Sequence, residues 1–131
     1  MPILDHIGIN VKDYAASKAF YEKALAPLGI TLVMEYGTAA GFGRDKKPDL
    51  WIGQGKTSFQ KDEQLVHITP VHVCLVARSR AEVDAFHKAA VAAGAKDHGA
   101  PGIRKEYHAN YYGAFVLDPD GHNLEAVIHT A

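Results

Sequence analysis

The chain has 131 residues, of which 47% are hydrophobic, and a formal net charge of −1. This suits one domain with a real core, and it excludes the basic stripe that nucleic acid or an anionic membrane would require. No apolar run approaches the roughly 20 residues of a membrane span and the N-terminus lacks a charged-then-apolar leader, so the expected location is the cytoplasm.

Residues 3–11 alternate as a strand, with Ile3, Asp5, Ile7 and Ile9 opposite Leu4, His6, Gly8 and Asn10. A helix follows from Tyr14, capped by Asp13, with Ala16, Phe20, Ala24 and Leu28 in one apolar stripe and Gly29 as its stop. Residues 30–36, 39–44 and 49–53 read as three short strands separated by Gly37 and by Lys46-Lys47-Pro48. Residues 55–69 are polar and aperiodic, which predicts a linker. Residues 71–77 form the next strand and contain the only cysteine, Cys74, expected as a buried free thiol. Ser79-Arg80-Ala81-Glu82 fits a capping box, and Val83, Phe86, Ala90 and Ala93 supply the buried face of a second helix. A strand begins at residues 96–98, followed by an expected loop Gly99-Ala100-Pro101-Gly102. Residues 111–117 and 122–128 are the last strands, joined by the turn Asp118-Pro119-Asp120-Gly121.

The order of elements occurs twice. At an offset of 66, His6 falls on His72, Ala15 on Ala81, Phe20 on Phe86 and Ala24 on Ala90. Such a repeat predicts a duplicated α+β unit: a first βαβββ module over residues 1–54, the linker 55–69 and a second module over 70–131. The two histidines sit at one point of equivalent strands, so folding the repeats together would bring two imidazoles toward a pseudo-symmetry axis.

These residues, with the closing run Phe115-Val116-Leu117-Asp118-Pro119-Asp120-Gly121-His122-Asn123-Leu124-Glu125-Ala126, resemble the vicinal oxygen chelate superfamily of glyoxalases, bleomycin-resistance proteins and extradiol dioxygenases. The resemblance implies two βαβββ modules in a curled, mostly antiparallel eight-stranded sheet. It also implies a divalent metal held by His6, His72 and Glu125, with Trp51 where glyoxalase I and the epimerase of the family place a fourth ligand. An indole cannot ligate, so three protein ligands and open coordination positions are expected. Two imidazoles and a carboxylate suit Fe(II), Mn(II), Ni(II) or Zn(II). Gly8 and Phe115 stand where fosfomycin-resistance enzymes carry threonine and tyrosine, and the chain stops at Ala131 without their basic extension, which argues against antibiotic transfer.

Glu125 and His108 are the candidate catalytic groups. The candidate substrate-binding residues are Trp51, Arg104, Tyr107, Tyr111 and Tyr112; only one of the last two can face the pocket. The remaining histidines, His129 in the tail among them, are expected to serve structure. The implied function is a metal-dependent lyase, isomerase or dioxygenase acting on a small molecule with vicinal oxygens. The alternative is a metal-free small-molecule binding protein of the bleomycin-resistance type. A homodimer is expected, with His6 supplied by one subunit and His72 and Glu125 by the other if the modules pair across chains.

Overall fold

The computed structural model describes residues 2–131. Eight strands and two helices run in the order β1 (Ile7–Asn10), α1 (Tyr14–Leu25), β2 (Thr31–Tyr36), β3 (Ala39–Gly43), β4 (Leu50–Gly53), β5 (His72–Val76), α2 (Arg80–Ala92), β6 (Lys96–Ile103), β7 (Tyr112–Leu117) and β8 (Asn123–Ile128). They form two four-stranded sheets of one topology, β1-β4-β3-β2 and β5-β8-β7-β6. In each, the first strand runs parallel to the last and the other neighbours are antiparallel. This is the duplicated α+β unit that the repeat predicts and the glyoxalase-like fold that the resemblance implies, with its eight strands in two four-stranded sheets.

Local chemistry sets the helix ends. Asp13 accepts from the Ala16 amide to cap α1, and a short 3-10 turn, Ala26–Leu28, ends at Gly29 with φ of 72°. Ser79 accepts from the Glu82 amide at 3.1 Å, but the Glu82 carboxylate reaches back one residue further than a capping box would, to the Arg78 amide at 2.7 Å. Each helix covers one face of its sheet. Phe20, Tyr21 and Leu25 of α1 and Val83, Phe86 and Ala90 of α2 are buried in a single core with Phe42, Ile52, Val116 and Leu124. Strand alternation then leaves the opposite face of each sheet open: Gly8, Trp51 and Gly41 lie abreast on one, Cys74, Glu125 and Phe115 on the other.

Three expectations change. The first strand begins at Ile7, so His6 lies just before it. The segment Gly99–Gly102 is part of β6, bulged but paired with Phe115 and Gly113. Its glycine serves packing: a Cβ on Gly99 would come within 2.9 Å of the Phe115 ring. Cys74 is exposed, because it falls on the helix-free side of β5.

The halves are joined by buried polar bonds as well as by the core. The Tyr21 hydroxyl donates to Asp118 Oδ2 at 2.5 Å, and the Lys12 amide donates to Asp120 Oδ1 at 3.0 Å. His122 accepts the Val71 amide at Nδ1, 3.0 Å, and donates from Nε2 to the Asn10 carbonyl at 2.8 Å. Burial, then the Asp118 charge, holds the Tyr21 phenol well above its ordinary value, so it remains a donor. Tyr21→Phe, which leaves a buried carboxylate oxygen without its donor, is expected to cost about 1–3 kcal/mol in urea unfolding. An unchanged midpoint and slope would show that Asp118 does not need this bond.

Candidate functional site

The open face of the second sheet carries the reactive side chains. Glu125, at the middle of β8, is only 2% exposed, yet it carries a carboxylate. Its oxygens are both engaged: Tyr111 donates its hydroxyl to Oε2, and Oε1 lies 3.2 Å from His72 Nε2. Buried charge is tolerated only with such partners. His72 is half exposed and is oriented from behind, its Nδ1 donating to the Asn123 carbonyl at 3.0 Å. With Nδ1 donating to the carbonyl, His72 can satisfy Glu125 Oε1 only through a second proton on Nε2; with that proton removed, the Nε2 lone pair and Oε1 would be turned toward one shared centre. Phe115 stacks on the His72 ring, with centroids 6.3 Å apart and an interplanar angle of 23°. Burial first, and then the bond to Glu125, raise the Tyr111 hydroxyl far above its usual range.

A cleft of about 490 Å³ opens over these groups, bordered by Tyr107, His108, Tyr111, Phe115 and His129. A cleft of about 510 Å³ between Asn10, the linker and Asp120 is slightly larger, but it holds neither His72 nor Glu125.

The expected site residues divide by position. His72, Glu125, Tyr107, Tyr111 and His108 share the cleft. Tyr112 does not: it faces α2, with its hydroxyl donating to Asp84 at 2.6 Å and Arg80 over its ring. Tyr111 is therefore the tyrosine of the pair that faces Glu125. Arg104 donates two of its five N–H groups to the backbone, to the Gly102 carbonyl at 3.0 Å and the Ala100 carbonyl at 2.7 Å, while its guanidinium lies over Phe115. It stands behind Phe115 and does not border the cleft itself.

Trp51 and His6 belong to the other sheet. Trp51 lies over Gly41, where a Cβ would meet its ring at 3.0 Å, and stacks on Tyr36 with centroids 6.5 Å apart. His6 is exposed, and its Nδ1 donates to Asp5 Oδ2 at 2.7 Å. That bond, and then Lys47, lower the Asp5 carboxyl below its ordinary value. Within one chain the ligand atoms of His6, His72 and Glu125 do not converge: among the described residues the only group of three with ligand atoms within 4.8 Å of one another is Asp118, Asp120 and His122. That group is a hydrogen-bonded turn. Asp118 Oδ1 accepts the Asp120 and His122 amides, its Oδ2 accepts Tyr21, and both His122 nitrogens are committed. The His122 imidazole therefore has no lone pair free for an ion.

Two residues at or beside the cleft, Cys74 next to its floor and His129 on its rim, escape a reading of the sequence. Cys74 lies beside Glu125 in the strand register. His129 lies beyond the end of β8, where it reads as tail, but alternation from Glu125 through Val127 carries it to the same face. That spacing is the signal that identifies it.

A family model described as Glyoxalase/Bleomycin resistance protein/Dioxygenase superfamily matches residues 3–126. No curated protein matches the chain significantly. Among solved structures, a glyoxalase/bleomycin resistance protein from Albidiferax ferrireducens T118 is 24% identical, with a TM-score of 0.74 over 96% of this chain and 98% of that one. TioX from Micromonospora sp. ML1 is 16% identical, with a TM-score of 0.71 over 98% and 99%. Lactoylglutathione lyase from Agrobacterium tumefaciens is 19% identical, with a TM-score of 0.68 over 96% and 92%. At these identities the likeness is one of fold.

Cys74 offers a chemical probe of the cleft. Although Cys74 is exposed as a residue, the packing around its sulfur, and then the Glu125 carboxylate, push its thiol above the ordinary range. A raised value leaves little thiolate at neutral pH, so iodoacetamide should label Cys74 at least tenfold more slowly than a free thiol at pH 8, and faster as pH rises. Glu125→Gln should speed labelling. A rate equal to that of a free thiol in the wild type would contradict the placement of Cys74 against Glu125.

Proposed function

This chain belongs to the Glyoxalase/Bleomycin resistance protein/Dioxygenase superfamily, and from that premise we propose that it is a divalent-metal-dependent enzyme acting on a small molecule with vicinal oxygens. The carrying observation is the 3.2 Å approach of His72 Nε2 to Glu125 Oε1, with the His72 Nδ1 proton turned away onto a backbone carbonyl. Two ligand atoms bonded to one first-row metal at about 2.0–2.2 Å stand about 2.9–3.5 Å apart. An outer carbonyl on the far nitrogen is also the usual support for a ligating histidine. His72 and Glu125 thus fit a metal without rearrangement, and the third proposed ligand is His6.

His6 would come from a second copy of the chain. Its own Nδ1 proton is held by Asp5, which leaves Nε2 available in the same sense as in His72. Large apolar side chains remain exposed next to both half-sites: Ile3 and Leu4 before His6, Tyr36 on the first open face and Val76 on the second. Apolar surface of this kind favours association. In a two-fold dimer each cleft would combine His6 of one copy with His72 and Glu125 of the other, giving two equivalent sites.

A bound divalent ion would supply Lewis acidity toward adjacent substrate oxygens. The chain's own residues would do the rest. Tyr111 holds one Glu125 oxygen, which fixes the other toward His72. Phe115 keeps the imidazole from rotating. The rims formed by Tyr107 and His108 narrow the approach to a small molecule. Trp51 occupies on β4 the register position that Glu125 occupies on β8, since Gly8 pairs with Trp51 as Cys74 pairs with Glu125. An indole there adds no ligand and keeps the set at three. The lyase named for the Agrobacterium relative makes lyase and isomerase assays the first to run, with ring-cleaving dioxygenation next.

Protein prepared without chelator should retain about one divalent ion per chain by plasma mass spectrometry. Retention should fall at least tenfold in His72→Ala, Glu125→Ala and His6→Ala, and the protein should sediment as a dimer. Full retention in the first two variants would overturn the ligand assignment. A wild type that takes up none of Fe(II), Mn(II), Ni(II) or Zn(II) would favour the metal-free binding protein.

A further inference from the structure

The pair His108–His129 stands at the mouth of the same cleft, and its hydrogen bonds run in one direction. The Asn110 amide donates to His108 Nδ1 at 3.1 Å. A backbone amide cannot accept, so His108 Nδ1 is bare and a neutral ring carries its proton on Nε2. That proton faces His129 Nδ1 at 2.8 Å. His129 must therefore accept at Nδ1 and carry its own proton on Nε2, an atom with no protein partner among the described residues. Both rings are exposed at the rim and are oriented by these bonds. Tyr111 packs edge-on against both, with centroids 5.5 Å from His108 and 5.2 Å from His129.

We propose that His129 Nε2–H is a fixed, neutral hydrogen-bond donor for a negatively charged oxygen of the molecule held in the cleft, with His108 as the positioning residue that locks its tautomer. The inference rests on the proposed function for the identity of the cleft and adds the charge character of the ligand. A neutral imidazole of set tautomer is suited to stabilising an oxyanion: the donor is aimed before charge develops and no proton has to be gathered first. The assignment also divides labour between the histidines. His108 has both nitrogens committed, so it is not the group that meets substrate. The ligand class is a small carboxylate, enolate or similar oxygen anion. Among the described residues no arginine or lysine borders this cleft, so His129 is the donor at its rim.

The test begins on metal-free protein labelled with nitrogen-15. Long-range proton–nitrogen spectra should show the Nε2–H form for both His108 and His129. Oxalate, a small dianion with vicinal oxygens, then serves as probe on zinc-loaded protein. It should shift the His129 Nε2 resonance. His129→Phe, which keeps a ring against Tyr111 and removes the donor, should bind oxalate about ten- to a hundredfold more weakly, the worth of one charge-assisted hydrogen bond. His108→Phe should lose a comparable part by freeing His129 to change tautomer. An Nδ1–H form of His129, equal oxalate affinity in His129→Phe, or no oxalate binding with or without zinc overturns the proposal. So does a zinc equivalent that survives in Glu125→Gln and disappears in His129→Phe, which would make the pair a metal site. The metal reading fails separately, if zinc leaves the His72 resonances unmoved.

Discussion

A carboxylate that is 5% exposed must find donors, and Asp118 finds three: the amides of Asp120 and His122 and the hydroxyl of Tyr21. The first two bonds close the turn between β7 and β8, and with it the register that sets Glu125 opposite Phe115 on one side and Cys74 on the other. The third ties that turn to α1, which belongs to the other half of the chain. His122 extends the same anchorage to β1 and to the start of β5. The position of the buried Glu125 carboxylate thus depends on a second buried carboxylate, a few residues away, that has no part in the cleft. An unsatisfied Asp118 would cost its full desolvation and would also loosen the strand that carries the chemistry.

The two sheets solve one packing problem with different residues. On each, the open face needs room for a large group at the centre of the last strand, and a neighbouring glycine supplies it. Gly41 gives way to the Trp51 indole, and Gly113 lies where a Cβ would press on Glu125 Oε2 at 3.1 Å. The equivalence of Trp51 and Glu125 is visible in the pairing of β4 with Gly8 and of β8 with Cys74. One half has therefore become an aromatic wall while the other holds charge. The duplicated scaffold stays symmetrical in its backbone and not in its chemistry.

Much of this was legible in the amino-acid order. The repeat of His6 on His72 and of Phe20 on Phe86, with period-two strands and capped helices, is enough for the fold, because those features are local and period-bound. The placement of Glu125 with His72 was legible only through the family resemblance of the closing run, since alternation within one strand does not say which strand lies beside it. What was hidden depends on contacts distant in sequence. The bulged strand through Gly99 and Gly102 reads as a loop, since its glycines exist to admit Phe115, which the chain reaches only later. That Arg104 stands behind Phe115, with two of its N–H groups on the carbonyls of Ala100 and Gly102, is likewise invisible in the sequence. Tyr111 and Tyr112 are indistinguishable until one meets Glu125 and the other Asp84. His129 was concealed by its place after the strand, although the alternation that exposes Glu125 to the cleft continues to it.

A sequence also cannot state which histidine nitrogen is bare, and the backbone settles this here. His72 gives its Nδ1 proton to the Asn123 carbonyl, and His6 gives its own to the Asp5 carboxylate. Both partners accept, so Nδ1 is a donor in both rings and Nε2 is the atom left to face a ligand; that of His72 faces Glu125 Oε1 at 3.2 Å, where a shared cation would take the place of a proton. His122 and His108 meet the opposite polarity at Nδ1, the amides of Val71 and Asn110, and both rings carry the proton on Nε2. Four histidines of one composition thus fall into two chemical kinds according to whether a neighbouring group accepts or donates. The two that donate from Nδ1 are the two that the internal repeat places in equivalent positions. The two with protonated Nε2 pass that proton on, one to the Asn10 carbonyl across the halves, the other to His129 at the rim of the cleft. The same rule separates the proposed ligands from the Asp118–Asp120–His122 turn, where the ligand atoms are close together but the imidazole has no lone pair to offer.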